Sequence, residues 1–190
     1  IGASALATQN AGADGYNVGI GYNAGTAITT GTRNTLIGGS TGDALTVGQR
    51  NVVIGTDALS ADTQGSRAVA IGQAALANQN FTSATDNYNV AVGFQAGVNV
   101  TTGDSNTLIG GLAGDALTVG NSNVVLGYNA LSSDTKGDRS VAIGMATLTT
   151  QNFTTSTDAY NTAVGFAAGN AVTTGIQNTL IGGVAGDALD

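Results

Sequence analysis

The sequence predicts an all-β protein, a parallel β-solenoid built from coils of 17 residues. Three observations support this prediction: one short apolar motif recurs along the chain, the composition favours strands and turns, and the charged residues that form helices are scarce. The motif reads NTLIG at 34–38, NVVIG at 51–55, SVAIG at 140–144 and NTAVG at 161–165. Such recurrence is typical of solenoids, in which each coil packs only on its neighbours.

The composition excludes several other classes of protein. Among 190 residues there are 30 Gly but no Pro, Cys, His or Glu, and Lys136 is the single Lys. Glu, Lys and Arg usually cover exposed helix faces, so their scarcity argues against a helical protein. The net charge of −7 argues against binding of nucleic acid, whose phosphates need Lys and Arg. No apolar run approaches the ~20 residues of a membrane-spanning helix, so we expect no membrane insertion by this chain.

The glycine that closes each motif defines the coils. Its spacing is 17 residues, with a step of 21 after every three such steps, so four coils form a super-repeat of 72 residues. We predict a single repeat domain over 1–190, with super-repeats at 17–88 and 89–160, a partial copy at 161–190 and a partial coil at 1–16. Because the chain begins inside a repeat-like stretch, IGASALA, we also expect a segment of a longer protein.

Each position of the coil can be assigned a structural role. Position 1 is Asn in eight of ten coils, and stacked Asn side chains can form a hydrogen-bonded ladder. Positions 2–4 form the strand, and position 5 is always Gly, which suits a turn with positive φ. A second short strand should precede another Gly turn at position 15. Each coil rises about 4.8 Å, so ten coils make a rod roughly 50 Å long.

Position 13 carries a ladder of threonines in seven coils. Flat ladders of this kind can bind ice, although the absence of a regular second rank at position 14 favours threonines that point inwards or cap turns. The Thr ladder consists of Thr29, Thr46, Thr63, Thr101, Thr118, Thr135 and Thr173.

The middle residue of the strand predicts association between chains. Side chains alternate across a strand, so if Val52 and Ile54 fill the coil, Val53 points outwards. Its column would then form an apolar stripe on the surface, and identical rods would associate along it with rotational symmetry. The alternative is that the stripe lies inside a thicker single roll. The stripe comprises Leu36, Val53, Ala70, Ala91, Leu108, Val125, Ala142, Ala163 and Leu180.

The motifs SVAIG at 140–144 and AVAIG at 68–72, with the recurrent Asn-x-x-Ile/Val-Gly, resemble a known family. They are similar to the head repeats of YadA-like trimeric autotransporter adhesins and to the related β-roll repeats of phage tail fibres. The resemblance covers the whole chain. It implies a left-handed parallel β-roll, a homotrimer about a three-fold axis, and an extracellular location on a cell surface or a virion fibre.

The four-residue insertions in the long coils are the candidate contact loops. They recur about every 19 Å, four coils apart, and combine aromatic, hydroxyl and amide groups that suit a glycan or a protein receptor. Packing between chains is the alternative role. The candidate contact residues are Phe81, Thr85, Asp86, Tyr88, Phe153, Thr157, Asp158 and Tyr160.

Catalytic, metal and cofactor sites are not expected. The chain has no His, Cys or Glu, and paired carboxylates such as Asp57 and Asp62 read as turn residues on a solvated surface. Asp43, Asp115 and Asp187 recur at one coil position, where carboxylates could ligate calcium, but a turn role is favoured. We therefore predict a protein that is not an enzyme.

Together these features predict a structural and adhesive fibre segment. It would be a stiff trimeric β-roll that presents repeated surfaces to a cell surface or glycan. Its exposed strand edges could also support end-to-end stacking. Two alternatives stay open: an ice-binding solenoid that uses the Thr ladder, and a self-polymerising structural filament without a ligand.

Overall fold

The computed structural model describes residues 1–187, and it confirms the predicted parallel β-solenoid. Fourteen strands and one short 3-10 helix, Gly12–Asp14, make up the regular structure. The coils stack into about ten turns, with one strand of the main sheet in each. Over residues 1–187, no helix is both long enough and apolar enough to cross a membrane.

The main sheet has ten parallel strands, each three residues long. In spatial order they are β1 (Val18–Ile20), β2 (Thr35–Ile37), β3 (Val52–Ile54), β5 (Val69–Ile71), β7 (Val90–Val92), β8 (Thr107–Ile109), β9 (Val124–Leu126), β11 (Val141–Ile143), β13 (Thr162–Val164) and β14 (Thr179–Ile181).

Two small sheets lie beside the long coils. One pairs β4 (Gly65–Ser66) with β6 (Thr85–Asp86), and the other pairs β10 (Gly137–Asp138) with β12 (Thr157–Asp158). A second strand is therefore present in only four of the coils within residues 1–187, and in the 17-residue coils it begins at the Gly of position 15 and not before it as predicted. In the remaining coils the backbone near position 15 is held by isolated hydrogen bonds between coils, such as Arg50 N–H to Thr32 O at 3.0 Å.

The register of the main sheet keeps equivalent positions together. Leu36 pairs with Val53, Val53 with Ala70, and Ala70 with Ala91, although the last step spans four extra residues. A shift of one residue would turn every strand side chain to the opposite face. The insertions therefore leave the sheet undisturbed and are accommodated outside it.

The prediction that the middle column of the strand faces outwards is wrong. That column points into the coil, and its members are fully buried except Leu180, which is half-buried. The physical reason is the Asn of position 1, which is buried in most coils and therefore sets position 3 on the same inner side. Consequently, this stripe cannot be a contact between chains. The residues concerned are Leu36, Val53, Ala70, Ala91, Leu108, Val125, Ala142, Ala163 and Leu180.

The buried asparagines form the predicted ladder. In Asn34 the side-chain Nδ2 donates to Gly48 O at 2.9 Å, while Oδ1 accepts from the backbone N–H of Asn51 at 3.0 Å. The ladder is interrupted at Ala68, and there Gln79 takes over, since its Oε1 accepts from Asn89 Nδ2 at 2.8 Å. A polar column inside a dry coil is stable because its amide groups find partners along the stack.

Positions 9 and 12 vary together, so that a large apolar side chain stands at one or the other of them in each coil. Where position 9 is Gly, position 12 is Ile, Leu or Val, and where position 9 is Leu, position 12 is Asp or Gln. A Cβ on Gly97 would lie 2.6 Å from Leu108 Cδ1 and 3.3 Å from Val100 Cγ2, so no larger residue fits there. Each coil thus reaches close packing with a different set of side chains.

Candidate functional site

The outer side of the main sheet is an apolar face that runs along every coil. Because positions 1 and 3 point inwards, positions 2 and 4 point outwards, and we call their two columns the sheet face. Position 2 contributes Val18, Thr35, Val52, Val69, Val90, Thr107, Val124, Val141, Thr162 and Thr179. Position 4 contributes Ile20, Ile37, Ile54, Ile71, Val92, Ile109, Leu126, Ile143, Val164 and Ile181.

The sheet face is accessible in the single chain. Val124 is 41% exposed and Leu126 is 44% exposed, although both carry branched apolar side chains. Position 4 is Ile, Val or Leu in every strand, and position 2 is Val or Thr. A parallel sheet with apolar residues on both sides is normally covered on both sides.

A third column, at position 6, extends the apolar surface along one edge. Its large members are exposed, and the other coils carry Gly, Thr56 or Gln73 at this position. The ring of Tyr128 extends towards Gly111, where an added Cβ would lie 3.5 Å from its Cδ2 atom. We call this column the aromatic edge; its large members are Tyr22, Phe94, Tyr128, Met145 and Phe166.

The size of this surface can be compared with that of known interfaces. Columns about 7 Å apart and coils about 4.8 Å apart give a surface of roughly 14 by 43 Å, or about 600 Å² in projection. Pleating and side-chain relief raise the accessible area above that figure. A stable interface buries about 800 Å² on each partner, whereas the largest apolar patch of a monomeric protein is about 300–600 Å².

The insertion loops are partly buried, which corrects one part of the prediction. Phe81 and Phe153 are 7% and 6% exposed, so these two rings cannot be contact residues for a receptor. They anchor the loops instead, and an added Cβ on Gly137 would lie 3.0 Å from Cδ2 of Phe153. The exposed members of the predicted set are Asp86, Tyr88, Asp158 and Tyr160, while Thr85 and Thr157 are half-buried.

A buried carboxylate of the preceding coil holds each insertion loop in place through hydrogen bonds. Asp62 Oδ1 accepts from the backbone N–H groups of Gly65 at 2.9 Å and Phe81 at 3.1 Å, and its Oδ2 accepts from Gln79 Nε2 at 2.7 Å. Burial raises the pKa of Asp62, while these three hydrogen bonds oppose the rise. Asp134 has the same role in the second super-repeat, where it accepts from Gly137, Gln151 and Phe153.

The exposed loop residues form a recurring cluster with an arginine. Arg67 Nε lies 2.9 Å from Asp86 Oδ1, and its guanidinium lies 5.4 Å from the centre of the Tyr88 ring. The hydrogen bond between Arg67 and Asp86 raises the pKa of the Arg67 guanidinium above its ordinary value. Seventy-two residues later, Arg139 contacts Asp158 and Tyr160 in the same way. The loops therefore present fixed, amphipathic side chains at the surface.

The Thr ladder is engaged in bonding between coils. Thr46 Oγ1 donates to Thr63 O at 2.8 Å, and Thr118 Oγ1 donates to Thr135 O at 2.8 Å. Thr29 and Thr101 make the same bond to the next coil, whereas Thr63 and Thr135 donate to carbonyls of the long coils. Thr173, in the penultimate coil, is exposed. These hydroxyl groups brace adjacent coils.

The recurring Asp of position 10 is held against the coil. Oδ1 of Asp43 and Oδ1 of Asp115 are buried and accept no hydrogen bond. Burial raises the pKa of Asp43, backbone N–H groups oppose this, and the nearby Asp57 carboxylate adds to the rise. Burial likewise raises the pKa of Asp115. The backbone N–H of Asp187 donates to Val184 O at 3.1 Å.

Two features of the surface were not predicted from the sequence. The outward direction of positions 2 and 4 was missed, although the recurrent combination of Asn at position 1 with an apolar residue at position 3 carries that information. The stacking of arginines was also missed, although Arg33, Arg50 and Arg67 are spaced by one coil.

Comparison with known proteins adds no identification. No protein-family model matches the sequence, and neither the curated proteins nor the solved structures provide a match.

Proposed function

We propose that this chain is a non-enzymatic fibre segment that self-associates through its sheet face into a homotrimer. The single observation that supports the proposal is the continuous apolar column at position 4, beside which position 2 carries only Val or Thr. The proposal moves the contact from the buried stripe to its neighbours on the other side of the same strands. In that assembly the rods would lie parallel, with equivalent coils at the same height.

A second and third copy of this chain are the occupants that fit the surface. In a trimer, two partners would share the projected area of about 600 Å², so relief of the side chains and the aromatic edge would have to add to it. A flat strip of uniform character along the whole rod also matches another rod better than it matches a globular partner. Closed rotational symmetry would remove the apolar surface from water without leaving an open end along the strip.

The loop side of the rod would remain available for attachment. Asp86, Tyr88, Asp158 and Tyr160 are exposed and belong to coil segments outside the ten-stranded sheet. The two loops recur four coils apart, so one trimer would present six similar clusters. Weak contacts of this kind reinforce one another when several bind one surface. A cell surface, a glycan coat or another particle outside the cell is the setting that we propose.

The ice-binding alternative has less support. The hydroxyls of most threonines at position 13 are committed to carbonyl groups of neighbouring coils. On the sheet face, position 4 carries no threonine at all. The self-polymerising filament is compatible with the same sheet face, and it would differ by forming assemblies of open length.

The experiment is light scattering after size exclusion on the purified chain and on a paired variant. The wild type should have a mass near three times 18.5 kDa. The double variant Val124→Lys and Leu126→Lys places two charges in the sheet face and should be a folded monomer. Both side chains are exposed in the single chain, so the coil itself should tolerate the change.

The matched control is Thr82→Lys with Thr154→Lys. These threonines are exposed on the insertion loops, and the control adds the same charge outside the ten-stranded sheet. It should retain the trimer mass. A monomeric wild type, or a control that dissociates as readily as the sheet-face variant, would overturn the proposal, and masses that grow with concentration would indicate the filament.

A further inference from the structure

A cleft of about 320 Å³ lies beside the insertion loop of the first super-repeat. Side chains of positions 16 and 17 from two successive coils form its floor, and the loop forms one wall. The lining residues are Gln49, Arg50, Ser66, Arg67, Ala84 and Asp86. Its volume is within the range that small ligands occupy.

The cleft carries an uncompensated positive charge on a strongly acidic protein. Arg33, Arg50 and Arg67 occupy position 17 of three successive coils. Their positive charges repel one another unless neighbouring groups offset them. Arg67 is paired with Asp86, and Arg33 lies over the ring of Tyr16 at 5.9 Å. Within residues 1–187, Arg50 takes part in no ion pair and in no ring contact.

The second super-repeat has the same backbone but a different set of side chains. Arg33 and Arg50 are replaced by Ser105 and Ser122, whereas Arg67 is matched by Arg139. Three further lining positions change as well, since Gln49, Ser66 and Ala84 correspond to Asn121, Asp138 and Ser156, whereas Asp86 is matched by Asp158. Among the lining positions, the first copy thus has one more arginine and one fewer carboxylate.

The substitutions fill the corresponding space in the second super-repeat. Asp138 Oδ1 accepts from the backbone N–H of Asn121 at 2.6 Å, and its Oδ2 accepts from Ser156 Oγ at 2.8 Å. The side chain of Asp138 is accordingly buried. In the first copy, Ala84 has no hydroxyl group to make the second bond, and Ser66 is shorter than Asp138. The space beside Arg50 therefore stays open.

We propose that this cleft binds a carboxylated sugar, a uronic acid unit of an acidic polysaccharide. The planar fork of Arg50 matches a carboxylate with two parallel hydrogen bonds. Gln49, Ser66 and Asp86 supply the amide, hydroxyl and carboxylate groups that hydrogen-bond sugar hydroxyls. One carboxylate with several neighbouring hydroxyl groups is the combination that these four side chains complement.

More highly charged ligands fit the cleft less well. Asp86 lies in the wall and would repel a second anionic group close to it. The net charge of −7 would repel a polymer with two or more charges on each sugar more strongly than a polymer with one. The site would serve the attachment role of the proposed fibre, but it belongs to one chain and does not depend on the oligomeric state.

Isothermal titration calorimetry with trigalacturonate, at low salt, tests the site. We expect one site per chain, and the fully methyl-esterified trisaccharide should bind at least about tenfold more weakly because it lacks the charge. Arg50→Ser copies the second super-repeat and should also weaken binding about tenfold or more. Equal binding of acid and ester, equal binding by Arg50→Ser, no binding at all, or a preference for dextran sulfate would each overturn the proposal.

A transplant provides the reciprocal test. Ser122→Arg, Asp138→Ser and Ser156→Ala together rebuild the cleft in the second super-repeat, and each new residue is already tolerated at the equivalent place. The variant should bind two equivalents, whereas a folded variant that still binds one would contradict the assignment. The monomeric sheet-face variant Val124→Lys and Leu126→Lys should bind trigalacturonate as the wild type does, so a failure of trimer formation and a failure of the cleft are separate results.

Discussion

The Oδ1 atom of Asn34 accepts two hydrogen bonds from Asn51, one from the backbone N–H at 3.0 Å and one from Nδ2 at 3.1 Å. Both residues are buried, and the same arrangement links successive coils elsewhere in the column. The pair ties the strand of one coil to the next at the point where each strand begins. It also sets which residues of the strand point inwards.

The first prediction concerns this ladder. Asn51→Ala should lower the free energy of unfolding by about 2–3 kcal/mol, because it leaves the N–H of Ala68 and the carbonyl of Gly65 without their partner inside the coil. Urea unfolding followed by circular dichroism measures the loss. The control is Asn78→Ala, which is exposed and should change stability by less than about 0.5 kcal/mol. Similar losses for both variants would show that the ladder is not a special source of stability.

The second prediction concerns the stacked glycines at position 5. Gly38 has φ of +143°, and an added Cβ would lie 2.5 Å from Gly55 O in the next coil. Gly38→Ala should therefore destabilise the chain by roughly 2–4 kcal/mol, through backbone strain and contact with a carbonyl that cannot move. Thermal unfolding provides the measurement.

The neighbouring glycine provides the control for that substitution. Nothing lies within 4 Å of a Cβ built on Gly39. Gly39→Ala should leave the midpoint of thermal unfolding almost unchanged. If Gly39→Ala destabilised the chain as much as Gly38→Ala does, close stacking of the glycines would not be the cause.

The period of the fold could be predicted from the sequence because it depends on features that recur regardless of neighbours. The Gly at position 5 recurs in every coil because the turn requires positive φ, and the Asn at position 1 recurs in eight of ten coils because it bonds the next coil. The orientation of the strand could not be predicted from alternation alone, because Val52, Val53 and Ile54 are all apolar and permit either phase. Burial of Asn51 decides between the two phases, since a stacked amide column is stable in the interior.

The candidate surfaces were harder to predict, for a related reason. Phe81 lies in a loop rich in polar residues, and only the fold shows that its backbone N–H and ring are fixed by the coil below. The cleft depends on how Ser66 and Ala84 differ in size from Asp138 and Ser156. Such a difference becomes visible when the two super-repeats are compared in three dimensions.

The third prediction concerns the carboxylate beneath the first loop. Asp62→Ala removes the acceptor for Gly65, Gln79 and Phe81 and should cost about 2–4 kcal/mol of stability. The amide of Phe81 should exchange with deuterium much faster, because its only partner is the lost carboxylate. Nuclear magnetic resonance of the labelled chain can follow this amide directly.

An exposed carboxylate of the same loop serves as the comparison. Asp86→Ala removes only the surface pair with Arg67 and should cost less than about 1 kcal/mol. It should leave exchange at Phe81 unchanged. Faster exchange at Phe81 in both variants would mean that the loop is held mainly from outside, contrary to the role that we assign to Asp62.

The last prediction concerns the response of stability to pH. The pKa values of Asp43 and Asp115 are raised in the folded protein above the ordinary 3.8, chiefly by burial. The folded state therefore binds protons at these groups more readily than the unfolded state does. Their contribution favours folding at low pH and is lost as the pH rises through the folded pKa values. Above that range, each buried charge opposes folding.

Asp43→Asn with Asp115→Asn imitates the protonated form at every pH. The double variant should be more stable than the wild type at pH 7. In the wild type, Oδ1 of each carboxylate is buried without a hydrogen bond and carries part of the negative charge, whereas the amide of Asn is neutral. Its advantage should shrink as the pH is lowered towards the raised pKa values of the wild-type carboxylates, because these groups then bind protons and lose their charge. Urea unfolding at pH 7, 6 and 5 gives both curves. An advantage that stays constant or grows as the pH falls would show that burial does not raise these two pKa values.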